Sequence, residues 1–199
     1  PSTLPKYTWT NNLVAVISDG SAILGLGDLG AKPAMPVMEG KALLFKKFAD
    51  IDSVPIVLDV HTPEEIIATV KAIAPSFGAI NLEDIAAPKC FEIEEALKNA
   101  LDIPVFHDDQ HGTAIVTLAG LINASTVTRR TLTNSKIVVI GAGAAGTAII
   151  KLLHKYGVTN IIAVDSKGIV GSSRTDLNSE KQALLDYVNK DAQGALSDA

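Results

Sequence analysis

The run Gly141-Ala142-Gly143-Ala144-Ala145-Gly146 follows the apolar stretch Lys136–Ile140 and precedes a second apolar stretch with helical spacing. Glycine at these intervals suits a strand–turn–helix that receives a dinucleotide. Gly141 permits the tight turn, Gly143 lets backbone approach a pyrophosphate, and Gly146 lets helix and strand pack closely. Ala144 and Ala145 keep the helix entrance small, where free N–H groups and the macrodipole favour an anion. Asp165 closes the next strand-like run about twenty residues on, where a carboxylate accepts hydrogen bonds from ribose hydroxyls and repels a 2′-phosphate. The expected cofactor is therefore NAD, with NADP less favoured. The plainer reading is a tight turn that needs small residues, with Asp165 capping a loop.

A second glycine string, Gly25-Leu26-Gly27-Asp28-Leu29-Gly30, matches the same spacing by letter. Pro33 and Pro36 follow it closely, and no acid ends a strand at the required distance. It reads as a loop for close backbone packing or substrate approach.

Two acidic pairs attract attention next. Glu83-Asp84 ends one strand-like run and Asp108-Asp109 follows another. In doubly wound sheets ligands gather beyond the carboxyl ends of strands, so the four carboxylates can converge there. Such a concentration needs a cation, and an all-oxygen set suits Mg²⁺ or Mn²⁺. Side chains alternate along a strand, so Glu83 and Asp84 can share an ion only if the chain has already turned. The other reading is two strand-end loops with solvated or capping acids. His107 and His111 flank the second pair but lack the glutamate of a zinc-protease pattern. His61 and His154 have no chemically suggestive neighbours, Cys90 reads as a small core or loop residue, and Lys41 alone reads as a surface lysine.

The elements that must position these groups alternate. Leu13–Ser18 reads as a strand, with Ala22–Leu24 as a short return strand forming a hairpin. A helix is expected from about Pro36 to Phe48, then a strand over Val54–Asp59. Thr62-Pro63-Glu64-Glu65 starts a helix that runs to about Ile73, with a cap, Pro at the first position and acids in the first turn. Ala79–Leu82 and Val105-Phe106 read as strands, Phe91–Ala100 and Thr113–Ser125 as helices. After the polar stretch Val127–Asn134 come the strand Lys136–Ile140, the helix Ala144–Tyr156, the strand Asn160–Val164 and a helix over Ser179–Val188. The polar ending reads as lacking core residues and order. This predicts an α/β protein with a mostly parallel sheet. Residues 1–130 form a substrate piece, and residues 131–199 the first half of a Rossmann-type dinucleotide-binding domain.

Composition bounds the function. The chain has 199 residues, 47% hydrophobic and 20% charged, which excludes a disordered chain. A net charge of -5 argues against nucleic acid as partner. One cysteine rules out a disulfide framework within the chain. No apolar run approaches a membrane span, and the N-terminal residues do not resemble a signal peptide. A cytoplasmic protein without membrane contact is expected.

In combination the strings SDGSAILGLGDLG, PVMEGKALLFK, INLEDI, FHDDQHGTAI and VVIGAGAAGTAI resemble the malic enzymes, in the small form of bacteria and archaea. The resemblance runs from about Tyr7 to Arg174. It implies that Glu83, Asp84 and Asp109 ligate Mg²⁺ or Mn²⁺, that Lys41 is the general base, and that Asp108 is its neighbouring carboxylate. It assigns Gly141, Gly143, Gly146 and Asp165 to the cofactor. The implied reaction is oxidative decarboxylation of L-malate to pyruvate and CO₂ with reduction of NAD, in a homodimer or larger assembly. Larger relatives carry a substrate-contacting arginine where this chain has Ala22. The family's catalytic tyrosine belongs upstream of the region covered, and its later dinucleotide-domain strands downstream. The expectation is a piece truncated at both ends and inactive alone. An inactive binding or oligomerisation module and a malolactic enzyme are the alternatives.

Overall fold

The computed structural model describes residues 3–199. They divide into two packed units, one reaching to Asp108 and the other from Asp109. The division falls well ahead of the polar stretch at 127–134. The long helix before that stretch carries Leu118 and Leu121, which pack on the core of the second unit.

The first unit opens with a short helix α1 (Leu4–Tyr7) and strand β1 (Leu13–Ser18). Helix α2 (Ala31–Ala49), strand β2 (Asp52–Val57), helix α3 (Pro63–Ile73), strand β3 (Ala79–Leu82), helix α4 (Lys89–Ala100) and strand β4 (Val105–His107) follow. The four strands form one parallel sheet in the order β2-β1-β3-β4. β1 is central: Ala15 stands opposite Val54 on one side and Ile80 on the other. Ala15, Val16 and Ile17 are fully buried, as expected of a parallel strand covered on both faces.

The centrality of β1 corrects the expected hairpin. Both of its edges are taken, so Ala22–Leu24 has no edge to pair with. The segment makes only an isolated bridge between Ile23 and Gly27. The loop closes on itself instead: the N–H groups of Leu29 and Gly30 both donate to the Gly20 carbonyl. A Cβ on Gly20 would lie 2.1 Å from the Gly30 oxygen, so glycine here serves close backbone packing.

Several boundaries also shift. α2 opens at Ala31, directly after Gly30, rather than at Pro36. Pro33 is harmless in the first turn, where N–H groups lack intrahelical acceptors, and Pro36 is carried inside the helix on an exposed position. β2 lies over Asp52–Val57 rather than Val54–Asp59, because it follows the register of β1. α3 begins as its sequence dictates, with a capping box between Thr62 and Glu65. The core of the unit gathers Met38, Ile66, Val70, Ile80, Leu82, Ile93 and Leu97 around the sheet.

The second unit begins in helix α5 (Asp108–Thr128). Strand β5 (Ile137–Ile140), helix α6 (Ala144–Tyr156), strand β6 (Ile161–Asp165), the two-residue strand β7 (Gly168–Ile169) and helix α7 (Ser179–Leu184) complete it. β5 and β6 run parallel, and β7 pairs antiparallel with β6. Gly157 ends α6 in the left-handed conformation (φ 109°). The expected helix over Ser179–Val188 stops at Leu184. Leu177 and Leu184 are buried with Ile150, Leu153, Ile161 and Ala163, and Tyr187 and Val188 pack against them. The expectation of a coreless ending beyond Val188 is corrected by Ala192 and Ala199, which pack against Ile162, Val164 and Ile169.

Candidate active site and cofactor loop

Strand order places β1 beside β2 on one side and β3 on the other. The chain therefore reverses its direction of travel across the sheet at β1 and β3, and the crevice beyond their carboxyl ends is where such sheets receive ligands. Glu83 and Asp84 emerge there. The Glu83 N–H still donates to the Ile17 carbonyl at 2.8 Å, continuing the ladder with β1. Asp84 then adopts the left-handed conformation (φ 53°), which Asp tolerates better than most residues. That turn frees the two carboxylates from strand alternation. The Asp84 carbonyl is tied to the glycine loop by the Ala22 N–H at 3.0 Å.

The second acidic pair is helical, not a loop. α5 starts at Asp108, immediately after β4, rather than at Thr113. Asp108 and Asp109 thus lie in a first turn, where carboxylates complement the helix dipole. One oxygen each from Glu83, Asp84 and Asp109 lies within 4.8 Å of the other two. Asp109 is one peptide bond past Asp108, so the same first turn sets its place. Among the described residues this is the group of ligating side chains that converges, and neither His107 nor His111 belongs to it. An all-oxygen trio of this spacing fits Mg²⁺ or Mn²⁺.

Asp108 faces a different partner. Lys41, midway along α2, donates from Nζ to Asp108 Oδ2 at 2.7 Å and stands 3.1 Å from Glu83 Oε2. Its side chain is 19% exposed, so it is no surface lysine. Glu83 is buried and also accepts from Asn81 Nδ2 at 2.8 Å. Burial pushes the Glu83 carboxyl up to about 7, against the pull of Asn81 and Lys41. For Lys41, burial works toward the neutral form. The hydrogen bond to Asp108 and the charge of Glu83 outweigh it, and its proton affinity ends above the ordinary value.

Sequence reasoning missed Asp19 and Lys89. Asp19 is buried at the end of β1, ion-pairs with Lys89 at the start of α4, and accepts from Ser21 Oγ at 2.6 Å. Ser21 Oγ in turn accepts the Ala86 N–H at 2.9 Å. These bonds stitch the loop after β1 to the segment that carries Asp84. Asp19 falls within the Asp-Gly turn signal after β1, which hid its burial.

In the second unit the fingerprint glycines stand as their spacing requires. Gly141 has φ 105°, and a Cβ on Gly146 would lie 1.8 Å from the Gly141 oxygen. Gly143 caps α6 with no side-chain acceptor, and nothing lies within 4 Å of where its Cβ would be. This is the open backbone a pyrophosphate needs. Asp165 closes β6, as expected, but it is already engaged. Arg174 Nη1 donates to Oδ1 at 2.7 Å, Lys181 Nζ to Oδ2 at 2.5 Å, and the Lys167 N–H to Oδ1 at 2.9 Å. Burial raises this carboxyl, but the donors prevail and hold it well below the usual carboxylate range. Neither cation was foreseen: Arg174 lies in the loop after β7 and Lys181 on α7, and a charge pair distant in sequence leaves no local signal.

A parallel α/β unit with a lysine–carboxylate site, followed by a unit bearing the glycine fingerprint, defines a dinucleotide-linked α/β protein. Residues 2–98 match the family model of the malic enzyme N-terminal domain, and residues 110–196 that of the malic enzyme NAD binding domain. The chain belongs to the malic enzyme family. It is 54% identical over 194 residues to the bifunctional malic/malolactic enzyme of Bacillus subtilis, covering 96% of this chain and 47% of that protein. It is 60% identical over 172 residues to a probable NADP-dependent malic enzyme of Rickettsia prowazekii, covering 85% of this chain and 22% of that protein. The crystal structure of the NAD-dependent malic enzyme of Thermotoga maritima superimposes with a TM-score of 0.96 at 49% identity, over 100% of this chain and 53% of that one. The chain thus spans about half the length, or less, of the relatives it matches. No helix among the described residues is long and apolar enough to cross a membrane.

Proposed function

We propose that the protein containing this chain oxidises L-malate to pyruvate and CO₂, with a divalent cation and NAD. The observation that carries this reading is Lys41, set between Asp108 and Glu83 beside the Glu83–Asp84–Asp109 trio at the sheet's reversal point. Glu83, Asp84 and Asp109 hold the cation. A bound Mg²⁺ or Mn²⁺ supplies Lewis acidity to the substrate's hydroxyl and carboxylate oxygens, which eases loss of the proton and then of CO₂. Lys41 Nζ takes the hydroxyl proton, and Asp108 Oδ2, at 2.7 Å, orients it and balances the charge it gains. Glu83 and Asp108 are the two carboxylates that raise the lysine's proton affinity.

Gly141, Gly143, Ala144, Ala145 and Gly146 receive the pyrophosphate, and Asp165 the ribose. When bound, the nicotinamide supplies the hydride acceptor. A malolactic outcome is the second reading, favoured by the bifunctional name of the Bacillus subtilis relative. The reading includes a homodimer or larger assembly, supported by Leu43, Leu44 and Phe48, exposed on α2.

The test is NADH formation from L-malate and Mn²⁺ by the full-length protein, with pyruvate and lactate measured together. Pyruvate equal to NADH is the expected result. Lactate without net NADH would select the malolactic reading. No product of either kind from a folded, Mn²⁺-loaded protein would leave a binding module.

A further inference from the structure

Strand β3, Ala79-Ile80-Asn81-Leu82, carries one polar side chain in an apolar run. Asn81 stands in register with Val16 on one side and Phe106 on the other, and it is 3% exposed. Burying an amide is costly unless it is hydrogen-bonded. Its partner lies two residues on. Glu83 continues the ladder with β1 through its own N–H, so side chains 81 and 83 leave the same face of the sheet. Asn81 Nδ2 donates to Glu83 Oε2 at 2.8 Å. Lys41 Nζ approaches the same oxygen at 3.1 Å, while its shorter bond, 2.7 Å, goes to Asp108. Oε2 thus meets two donors, as many as a carboxylate oxygen has lone pairs, which leaves Oε1 to face Asp84 and Asp109.

The two donors differ in charge. A divalent cation held by the trio repels the Lys41 ammonium, which has Asp108 to hold it elsewhere. The Asn81 amide carries no net charge and is fixed on a strand, so its bond survives the arrival of the ion. We propose that Asn81 is a positioning residue for the cation site, fixing Glu83 through Oε2 and presenting Oε1 to the ion independently of Lys41. The inference rests on reading Glu83, Asp84 and Asp109 as the cation ligands. Without the amide, Glu83 is left to Lys41, and the ion meets a carboxylate already paired with a cation. Outer partners that hydrogen-bond a ligating carboxylate are worth about 10–100-fold in metal affinity.

Mn²⁺ binding to the full-length protein, without malate or dinucleotide, is read from loss of the free-ion electron paramagnetic resonance signal. Asn81→Leu, close to asparagine in size, and Asn81→Ala should each weaken it at least tenfold. Lys41→Met removes a neighbouring cation and should bind Mn²⁺ at least as tightly as wild type. Glu83→Ala removes the carboxylate itself. Adding Asn81→Leu to Glu83→Ala should cost less than threefold more, because Asn81 acts through Glu83. Circular-dichroism melting confirms that each variant is folded. Equal losses from Asn81→Leu with and without Glu83 would make Asn81 a mere support of β3 and overturn the proposal. A tenfold loss in Lys41→Met would overturn it too, by making the lysine an equal anchor. So would unchanged Mn²⁺ affinity in both Asn81 variants while Glu83→Ala weakens binding, an outcome that leaves the cation trio standing. Wild type that binds no Mn²⁺, or binds it no better than Glu83→Ala, would remove the trio reading and this inference together.

Discussion

Lys41 on helix α2 bonds Asp108 at the first position of helix α5, and the two residues are 67 apart in sequence. The pair joins a helix that follows a glycine loop to one that follows an edge strand. Neither residue would show a role outside the folded sheet.

In the full-length protein, Lys41→Ala is expected to lower malate oxidation by about 10²–10⁴-fold, the usual worth of a general acid–base group. ADP binding should stay within threefold of wild type, because the dinucleotide loop lies in the other unit. Turnover within tenfold of wild type would reduce Lys41 to a structural partner of Asp108.

Asp109→Asn removes one anionic oxygen donor from the trio while keeping its shape. Mn²⁺ affinity, followed by the loss of the free-ion electron paramagnetic resonance signal, should fall at least tenfold. An unchanged affinity would take Asp109 out of the ligand set.

Gly146 and Gly143 separate packing from ligand approach. Gly146→Ala sets a methyl 1.8 Å from a backbone oxygen, so strand and helix must part, at a cost of about 1–3 kcal/mol by analogy with overpacked cores. Its melting temperature should drop. Gly143→Ala meets nothing within 4 Å and should melt near wild type, yet bind ADP at least tenfold more weakly. Equal melting of the two variants would contradict the geometry.

The clamp on Asp165 makes stability depend on acid. Its folded carboxyl sits below the ordinary value near 3.9, so the folded state binds fewer protons than the unfolded state in that range. The contribution is fully present above about pH 5 and is lost as the pH falls through 4 toward the depressed folded value. Thermal melts of wild type and Asp165→Asn should differ by a constant amount above about pH 5 and by progressively less as the pH falls below about 4. A gap that stays constant through that fall would show that the ion pairs do not stabilise the unit.

The elements with strong local chemistry were legible in sequence. Thr62-Pro63-Glu64-Glu65 starts its helix where the cap rules place it, and Gly157 ends α6. Boundaries governed by tertiary pairing were not. The hairpin at Ala22–Leu24 failed because nothing local shows that β1 has both edges occupied. α5 begins earlier than its apolar pattern because Asp108 and Asp109 serve as polar first-turn residues. The convergence of the three carboxylates depended on one backbone event, the left-handed turn at Asp84, which sequence posed as a condition and could not decide. Arg174 and Lys181 escaped because long-range charge pairs have no periodicity to betray them.

The burial of Leu177 and Leu184 sets an order on synthesis. Strand β5, helix α6 and strand β6 leave the ribosome before the side chains that seal their core. Until Leu184 emerges, Ile150, Leu153 and Ile161 lack this cover on a nascent chain that has already made strands β1 to β4. The second unit therefore has a window in which its apolar face is open to chaperones or to misplaced neighbours, and that window closes from the carboxyl side.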